Sequence, residues 1–363
     1  MQLVLSVPVW SIQGQDVSAI AAGGDVACVI LASDSPRCWG DPSGQALDEV
    51  KARGHKKSVG MKKLSAVKTM ATSGGHSCAI VKSGAVYCWG DSRRGSLGIG
   101  KSSGSVRIPA QVPGLISATA ITAAFSHTCA VVGEGEVWCW GANGYGQLGN
   151  GIESDAATPV QVNGLRTAIA VSTGEAHACA LLKNGTVTCW GDGHFGVLGN
   201  ESEESSATPV IVKGLTSVVN IAAGWNHTCA VRADGTVLCW GRNVYGQLGN
   251  GNRENSSRPV PVRNVQNVVK VSAGAASACA LTHQGQVWCW GSNAIGQLGN
   301  GSRIDSLTPV TASVLPIKAR LMAMGESAVC VVADTGTILC WGKNYSTDPK
   351  GLDFKAEPIN LNK

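Results

Sequence analysis

All 14 cysteines of this 363-residue chain fall into seven pairs, and the two members of each pair are ten residues apart. Between Cys78 and Cys88, Gly84 stands where a type I turn with a G1 bulge needs the left-handed conformation. Counting outward from this turn makes the two cysteines a non-hydrogen-bonded pair, whose side chains approach closely enough for a disulfide. The spacing therefore predicts seven cross-strand disulfides. They are Cys28–Cys38, Cys78–Cys88, Cys129–Cys139, Cys179–Cys189, Cys229–Cys239, Cys279–Cys289 and Cys330–Cys340.

Repeated disulfides indicate an oxidising compartment, so the protein is expected to be secreted, periplasmic or at a cell surface. The alternative is seven pairs of buried free thiols in a cytosolic protein. The apolar start, Met1–Val9, has no basic region and no clear cleavage site, so it is not expected to be an intact signal peptide. No run of eighteen apolar residues occurs, and no membrane span is predicted.

Four histidines raise the question of a metal site, since each lies two positions before the first cysteine of its pair. They are His76, His127, His177 and His227. Neighbouring sheets pack about 10 Å apart, so equivalent histidines are too distant to share one ion. We expect each to be buried and hydrogen-bonded to the backbone of its own or the next repeat. A zinc site built on the two sulfurs of each pair is a weaker alternative, and no metal is predicted.

Motifs that carry catalysis are absent from the sequence. It contains no nucleophile elbow, phosphate-binding glycine loop, metalloprotease helix or paired-carboxylate motif. We therefore expect a non-enzymatic protein with no catalytic residues and no cofactor.

The elements that position the cysteines follow from a repeat. Cys-Trp-Gly occurs seven times at intervals of 50 or 51 residues. One clear unit runs over 169–214, with short strands predicted at Ile169–Thr173, Ala178–Leu182 and Thr186–Trp190, and a fourth starting at Pro209. Four short strands in each of seven units predict an all-β fold, a single seven-bladed β-propeller with four antiparallel strands per blade.

Residue types distinguish the inner and outer strands of this propeller. First strands use small residues such as Ala222-Ala223-Gly224, which suit crowding at the axis, and in most units the fourth strand begins with proline, which suits a sheet edge. The whole chain, 1–363, is expected to be one domain. Its units are roughly 17–66, 67–117, 118–167, 168–217, 218–267, 268–317 and 318–363, with 1–16 as a closing strand. Both Val7-Pro8-Val9 and Glu357-Pro358-Ile359 resemble fourth strands, and joining the termini in one blade would close the ring.

The run from Gly224 to Ala230, with Asp234–Val237 and Gly246-Gln247-Leu248-Gly249, resembles the regulator-of-chromosome-condensation (RCC1-type) repeat. The resemblance extends over about 20–345, and the paired cysteines suggest a bacterial-like variant. It implies the propeller fold but is weak for function, since one fold hosts unrelated activities.

Three activities known in that family are implied to different degrees. Some bacterial members inhibit an enzyme, which makes inhibition one form of a binding function. Guanine-nucleotide exchange on a small GTPase is an alternative, although no catalytic residue can be carried over. A tryptophan-based light sensor, as in the plant ultraviolet-B photoreceptor, would need a repeated Gly-Trp-Arg-His-Thr, which only Gly224–Thr228 approaches, without the arginine. The repeat tryptophans are better explained by packing between blades.

A partner should bind where residues break the repeat. Four residues before the first cysteine, the first turns carry Gly24, Gly74, Phe125, Glu175, Trp225, Ala275 and Glu326. The loops between third and fourth strands add Arg93, Arg94, Tyr145, His194, Phe195, Tyr245 and Tyr345. Because strand direction alternates, both sets emerge on one face around the central opening, where aromatic and charged residues suit recognition. The alternative is ordinary loop variation, with the tyrosines packed on neighbours.

The first repeat carries a basic segment with no acidic residue. Its cations are Lys51, Arg53, Lys56, Lys57, Lys62, Lys63 and Lys68. The chain has a net charge of +5, so the rest of it is close to neutral. The segment suits an acidic partner or is simply a solvated loop and outer strand. Together these features predict a monomeric binding scaffold with a protein or glycan partner, whereas a nucleic acid is not favoured.

Overall fold

The structure is a computed structural model that describes residues 17–24, 26–40, 59–60, 64–343 and 357–358, with the pairs 59–60 and 357–358 as backbone alone. Over this part of the chain, strands β1–β28 form seven antiparallel sheets of four strands, each in simple sequence order. The first strand of each sheet contacts the first strands of the two neighbouring sheets, including that of the last sheet with that of the first. The predicted seven-bladed propeller is confirmed.

The strands of the first four blades have the following bounds. Blade 1 has β1 (Val17–Gly23), β2 (Val26–Leu31), β3 (Pro36–Gly40) and β4 (Val59–Gly60). Blade 2 has β5 (Val67–Thr72), β6 (His76–Val81), β7 (Val86–Asp91) and β8 (Ser105–Gln111). Blade 3 has β9 (Ala118–Ala124), β10 (His127–Val132), β11 (Glu136–Gly141) and β12 (Ala156–Gln161). Blade 4 has β13 (Ala168–Thr173), β14 (His177–Leu182), β15 (Val187–Gly191) and β16 (Ser206–Ile211).

The last three blades repeat this arrangement. Blade 5 has β17 (Val218–Ala223), β18 (His227–Arg232), β19 (Val237–Gly241) and β20 (Ser256–Pro261). Blade 6 has β21 (Val268–Ala273), β22 (Ser277–Thr282), β23 (Val287–Gly291) and β24 (Ser306–Thr311). Blade 7 has β25 (Ala319–Met324), β26 (Ala328–Ala333), β27 (Ile338–Gly342) and β28 (Glu357–Pro358). Two single 3-10 turns, Arg93–Gly95 and His194–Gly196, lie in the loops after β7 and β15.

The hairpin between second and third strands has the predicted register. Gly84 adopts φ +83°, and the amide of Val81 donates to the carbonyl of Ala85. Cys78 then lies directly opposite Cys88. In all seven blades the paired sulfurs are at disulfide-bonding distance, with Cα atoms 4.0–4.2 Å apart, so the predicted pairing is confirmed.

The repeat tryptophans join successive blades. Trp190 is fully buried in one apolar cluster with Leu148 of the preceding blade, and its Nε1 donates to the carbonyl of Gln147 at 2.9 Å. Gly149 lies against the same indole so closely that an added Cβ would be 2.8 Å from it. The same bond recurs at Trp140, Trp240, Trp290 and Trp341. Packing of these tryptophans between blades, as expected, explains why Gly-Gln-Leu-Gly accompanies Cys-Trp-Gly.

The fourth strands begin earlier than predicted. In blade 4 the strand starts at Ser206 rather than at Pro209, because Ser206 pairs with Gly191 before a register shift that brings Val210 opposite Cys189. The bulge lets the strand extend past the proline, which stays on the outer edge where its missing N–H costs no ladder bond.

The histidine partners also differ from expectation. His76 and His177 bond the hydroxyl groups of Thr128 and Thr228 in the next blade, at 2.7 and 2.9 Å, rather than backbone groups. All four histidines are buried, as expected. For His76 and His177 the partner is the threonine that follows the histidine of the next blade.

The ring closes between blades 1 and 7. Val17 and Trp39 share an apolar cluster with Ile338, and Arg320 donates to the carbonyl of Val17 at 2.8 Å. The segment Glu357–Pro358 pairs with β27 and completes blade 7, so the C-terminal segment supplies this fourth strand. The expected closing strand in 1–16, including Val7-Pro8-Val9, lies outside the described residues.

Candidate functional site

One face of the propeller carries both the first turns and the loops between third and fourth strands, as predicted. Within a blade these segments are joined by a backbone bond, for example from the amide of Asp192 to the carbonyl of Ala176 at 2.9 Å. Arg242 and Asn226 form the equivalent bond in blade 5. The turns surround one end of an axial cavity, and the loops lie outside them.

An aromatic pair stands at the mouth of the axial cavity. The rings of Phe125 and Trp225 meet edge to face with centroids 6.0 Å apart, although they come from blades 3 and 5. Their exposed fractions are 52% and 36%, so both retain surface for a ligand. Phe125 has φ +41°, a conformation that a bulky residue rarely adopts and that concentrates at functional positions.

Between the two aromatic residues, Glu175 of blade 4 is held in place. Its carboxylate accepts a bond from Asn226 Nδ2 at 3.0 Å, and its amide donates to the carbonyl of Trp225 at 3.0 Å. A similar hydrogen bond between neighbouring blades runs from the amide of Ala275 to the carbonyl of Glu326, at 2.8 Å. The aromatic pair and two half-buried glutamates therefore form a preorganised rim.

An outer ring of side chains surrounds this rim. Tyr145 and Tyr245 are 50% and 42% exposed, and the side-chain oxygens of Gln147 and Gln247 accept bonds from their amides at 2.9 Å. About half of each tyrosine side chain is therefore accessible and the other half contacts the protein. The glutamine of each Gly-Gln-Leu-Gly motif fixes the turn that presents the tyrosine.

An ion pair and a cation–π contact connect the other side chains of the outer ring to neighbouring blades. Arg94 donates two bonds of 2.8 Å to Asp155 in the next blade, and this pairing lowers the pKa of Asp155. The guanidinium of Arg242 lies 5.1 Å from the ring centroid of Phe195, a cation–π contact between blades 4 and 5.

Arg93 and His194 occupy the most exposed part of this ring. Arg93 bonds Asp91 of its own loop at 2.5 Å. His194 makes the equivalent 2.5 Å bond to Asp192, which raises the pKa of the histidine. Both side chains therefore carry a partner within their own loop.

The axial cavity has a volume of about 280 Å³ and is lined by the inner strands of all seven blades. Side chains of one inner strand bond the next: Thr122 and Ser172 accept the amides of Thr173 and Ala223. Small residues at the axis therefore leave an open cavity instead of filling it. Lys270 contributes to its wall, and burial lowers the pKa of this lysine.

Sequence reasoning missed three residues of this face and cavity. Asn226, Arg242 and Lys270 each break the repeat by polarity or charge at positions where most blades have smaller or uncharged residues. A comparison of the seven units at every position, beyond the turns, would have found them.

Other predicted positions contribute less. Of the basic segment, Lys68 is exposed on β5, and its other six cations lie outside the described residues, as does Tyr345. In the described ranges no group of three or more histidine, cysteine, aspartate or glutamate residues could hold a metal ion. Nor does this part of the chain contain a helix long and apolar enough to cross a membrane.

Solved structures share this fold at low sequence identity. Yeast RCC1 (Prp20), solved with Kap60 bound, is 21% identical with a TM-score of 0.77, covering 97% of this chain and 85% of that one. Human WBSCR16 is 20% identical with a TM-score of 0.75, covering 89% and 90%. The CRINKLY ectodomain of the Arabidopsis thaliana receptor kinase ACR4 is 22% identical with a TM-score of 0.54, covering 92% and 99%.

The family follows from the sequence match. A model of the RCC1-like domain matches residues 61–353, which is most of the chain and includes six of the seven Cys-Trp-Gly motifs. The regular blades, the tryptophan bonds between them and this match agree, and the chain belongs to the RCC1-like domain family.

Proposed function

We propose that the protein is a non-enzymatic binding scaffold of an oxidising compartment, secreted or at a cell surface. It recognises a protein partner through the face that carries Phe125 and Trp225. The seven cysteine pairs support the compartment, since such disulfides persist where thiols are not kept reduced. The proposal includes inhibition of an enzyme as one form of this binding.

The observation that carries the proposal is the aromatic pair at the cavity mouth. Interface hot spots are enriched in tryptophan, tyrosine and arginine held rigidly near the centre of a patch. Phe125 and Trp225 provide such a centre, with Glu175 fixed between them by Asn226. The half-exposed Tyr145 and Tyr245 extend the patch outward.

Among proteins of this fold, partner binding is known from the neighbours themselves. Prp20 was solved with Kap60 bound, and another study of it describes binding to Gsp1p and histones. These neighbours are about one-fifth identical, so they support a binding role and do not identify the partner.

The test is partner capture from an extracellular fraction, with the purified protein as bait and mass spectrometry as readout. A Phe125→Ala/Trp225→Ala bait should lose the partner. The control bait is Ile169→Ala/Val219→Ala, which removes half-exposed apolar side chains at the ends of the inner strands that lie away from this face. The control bait should still capture the partner. Equal capture by both baits would remove this face from the proposal.

Two further outcomes separate the alternatives. Near-stoichiometric free thiols at all 14 cysteines of the denatured, unreduced protein would contradict an oxidising compartment. Faster nucleotide release from a small GTPase would favour the exchange-factor hypothesis.

A further inference from the structure

The axial cavity contains one residue that differs from the rest of its wall. Lys270, on β21, is the one cationic residue among the described residues that line the cavity. At the equivalent position the other inner strands have Ala19, Thr69, Ala120, Ala170, Asn220 and Leu321. A lysine at this point is therefore not required by the repeat.

The side chain of Lys270 is half-buried in the cavity wall, and no ion pair to it occurs in the described part of the chain. Its pKa is lowered by burial, and no charged neighbour acts on it. Glu175 and Glu326 lie at the rim, beyond the far ends of the inner strands, and neutralise no charge at Lys270. Partial burial of an ammonium group without a counterion costs free energy, so Lys270 destabilises the protein when the cavity holds no ligand.

We propose that the axial cavity binds a small monocarboxylate. The carboxylate of the ligand pairs with Lys270, and its apolar part extends along the cavity toward Phe125 and Trp225. A charge-assisted bond to the ligand supplies a partner that the described residues do not. The Lys270 end of this site lies inside the cavity, away from the macromolecular surface proposed above, whereas the apolar end of the ligand shares Phe125 and Trp225 with that surface.

The charges of the cavity select this class of anion. One cation matches one negative charge, whereas a phosphate dianion would leave its second negative charge without a partner beside Lys270. The rim glutamates, with Glu175 fixed by Asn226, oppose the entry of polyanions at this mouth.

The dimensions of the cavity limit the size of the ligand. A volume of about 280 Å³ equals roughly nine water molecules, so a ligand of about nine non-hydrogen atoms fits. Small side chains on the inner strands, such as Ala222, Ala273 and Gly274, leave this space open along the axis. The aromatic pair at the mouth offers the apolar end a surface to contact.

The probe for the test is hexanoate, with hexanamide as its uncharged analogue. Binding is measured by calorimetry and by the shift in melting temperature at neutral pH. Hexanoate should bind the wild-type protein and raise its melting temperature, and hexanamide should not. The variant Lys270→Met keeps an unbranched side chain one atom shorter and removes its charge, and it should bind hexanoate at least about tenfold more weakly.

Two controls keep the result interpretable. Lys183→Met changes an exposed lysine on a hairpin and should respond to hexanoate like the wild-type protein. Without ligand, Lys270→Met should melt at a higher temperature than the wild-type protein, because a half-buried charge without a counterion is removed. Absence of hexanoate binding to the wild-type protein, equal binding by Lys270→Met, or equal binding of hexanamide would each overturn the proposal.

Discussion

His177 and Thr228 belong to different blades, yet Nε2 of the histidine lies 2.9 Å from the threonine hydroxyl oxygen. His76 and Thr128 repeat this contact at 2.7 Å. The blades that follow His127 and His227 have Ala178 and Ala278 in the place of threonine. A histidine therefore bonds the next blade through a side chain only where that blade supplies a hydroxyl.

Removing this hydroxyl should weaken the ring. Thr228→Val keeps the shape of the side chain but leaves His177 without its buried partner, which we expect to destabilise the protein by about 1–3 kcal/mol. Urea unfolding measures the loss. Thr208→Val, on an exposed outer strand, is the control and should change stability by less than about 0.5 kcal/mol. An equal effect of the two variants would show that the inter-blade bond contributes nothing.

The free energy of unfolding should decrease as the pH falls below neutrality, because the four repeat histidines are buried. Burial lowers the pKa of His76, His127 and His227 to about 4 and that of His177 to about 3. In the unfolded chain a histidine binds its proton near pH 6.5. The unfolded state therefore gains protons as the pH falls from about 6.5 to about 4, while the folded state does not, and this difference favours unfolding.

Urea unfolding at several values between pH 7.5 and pH 4.5 measures this dependence. Each neutral buried histidine contributes up to roughly 3 kcal/mol of loss by the acid end of the window. His177→Gln is expected to show a shallower dependence, since one titrating group is removed. A free energy of unfolding that stays constant or rises as the pH falls would contradict the prediction.

The disulfides should stabilise each hairpin by restricting the unfolded chain. Replacing Cys229 and Cys239 together by alanine is expected to cost about 2–3 kcal/mol by loop-closure entropy. Thermal unfolding of the oxidised proteins measures the cost. After full reduction the wild-type protein should lose stability through all seven pairs at once, and the double variant through the remaining six. A double variant as stable as the wild-type protein would mean that this pair adds nothing beyond the hairpin itself.

Alanine substitutions at two glycines distinguish the free-energy cost of backbone strain from that of steric crowding. Gly199 and Gly214 have nearly the same φ, +69° and +68°, but an added Cβ at Gly199 would be 2.8 Å from the Trp240 indole, whereas at Gly214 nothing lies within 4 Å. Gly214→Ala should cost about 1–2 kcal/mol from the left-handed conformation alone. Gly199→Ala should cost a further 1–3 kcal/mol or so from overpacking. Equal melting temperatures for the two variants would exclude close packing as the reason for the last glycine of Gly196-Val197-Leu198-Gly199, the blade 4 variant of Gly-Gln-Leu-Gly.

Much of the fold was predictable because its determinants act over short stretches of chain. A glycine six residues after each first cysteine, replaced by Asp34 at φ +60° in blade 1, fixes the hairpin register and hence the cysteine pairing. Regular spacing of Cys-Trp-Gly then sets the number of blades. These features depend on local turn geometry, which the chain expresses in the same way in each copy.

The tertiary structure decided which residues from different blades meet. Phe125 and Trp225 meet across blade 4, and Lys270 lines a cavity to which the inner strands of all seven blades contribute. Such contacts depend on the tilt of the seven twisted sheets relative to the axis. Many small packing interactions together set this tilt. The amino-acid sequence by itself determined the blade, its disulfide and the face that its loops share, and the closed ring determined the cavity, its isolated charge and the aromatic pair above it.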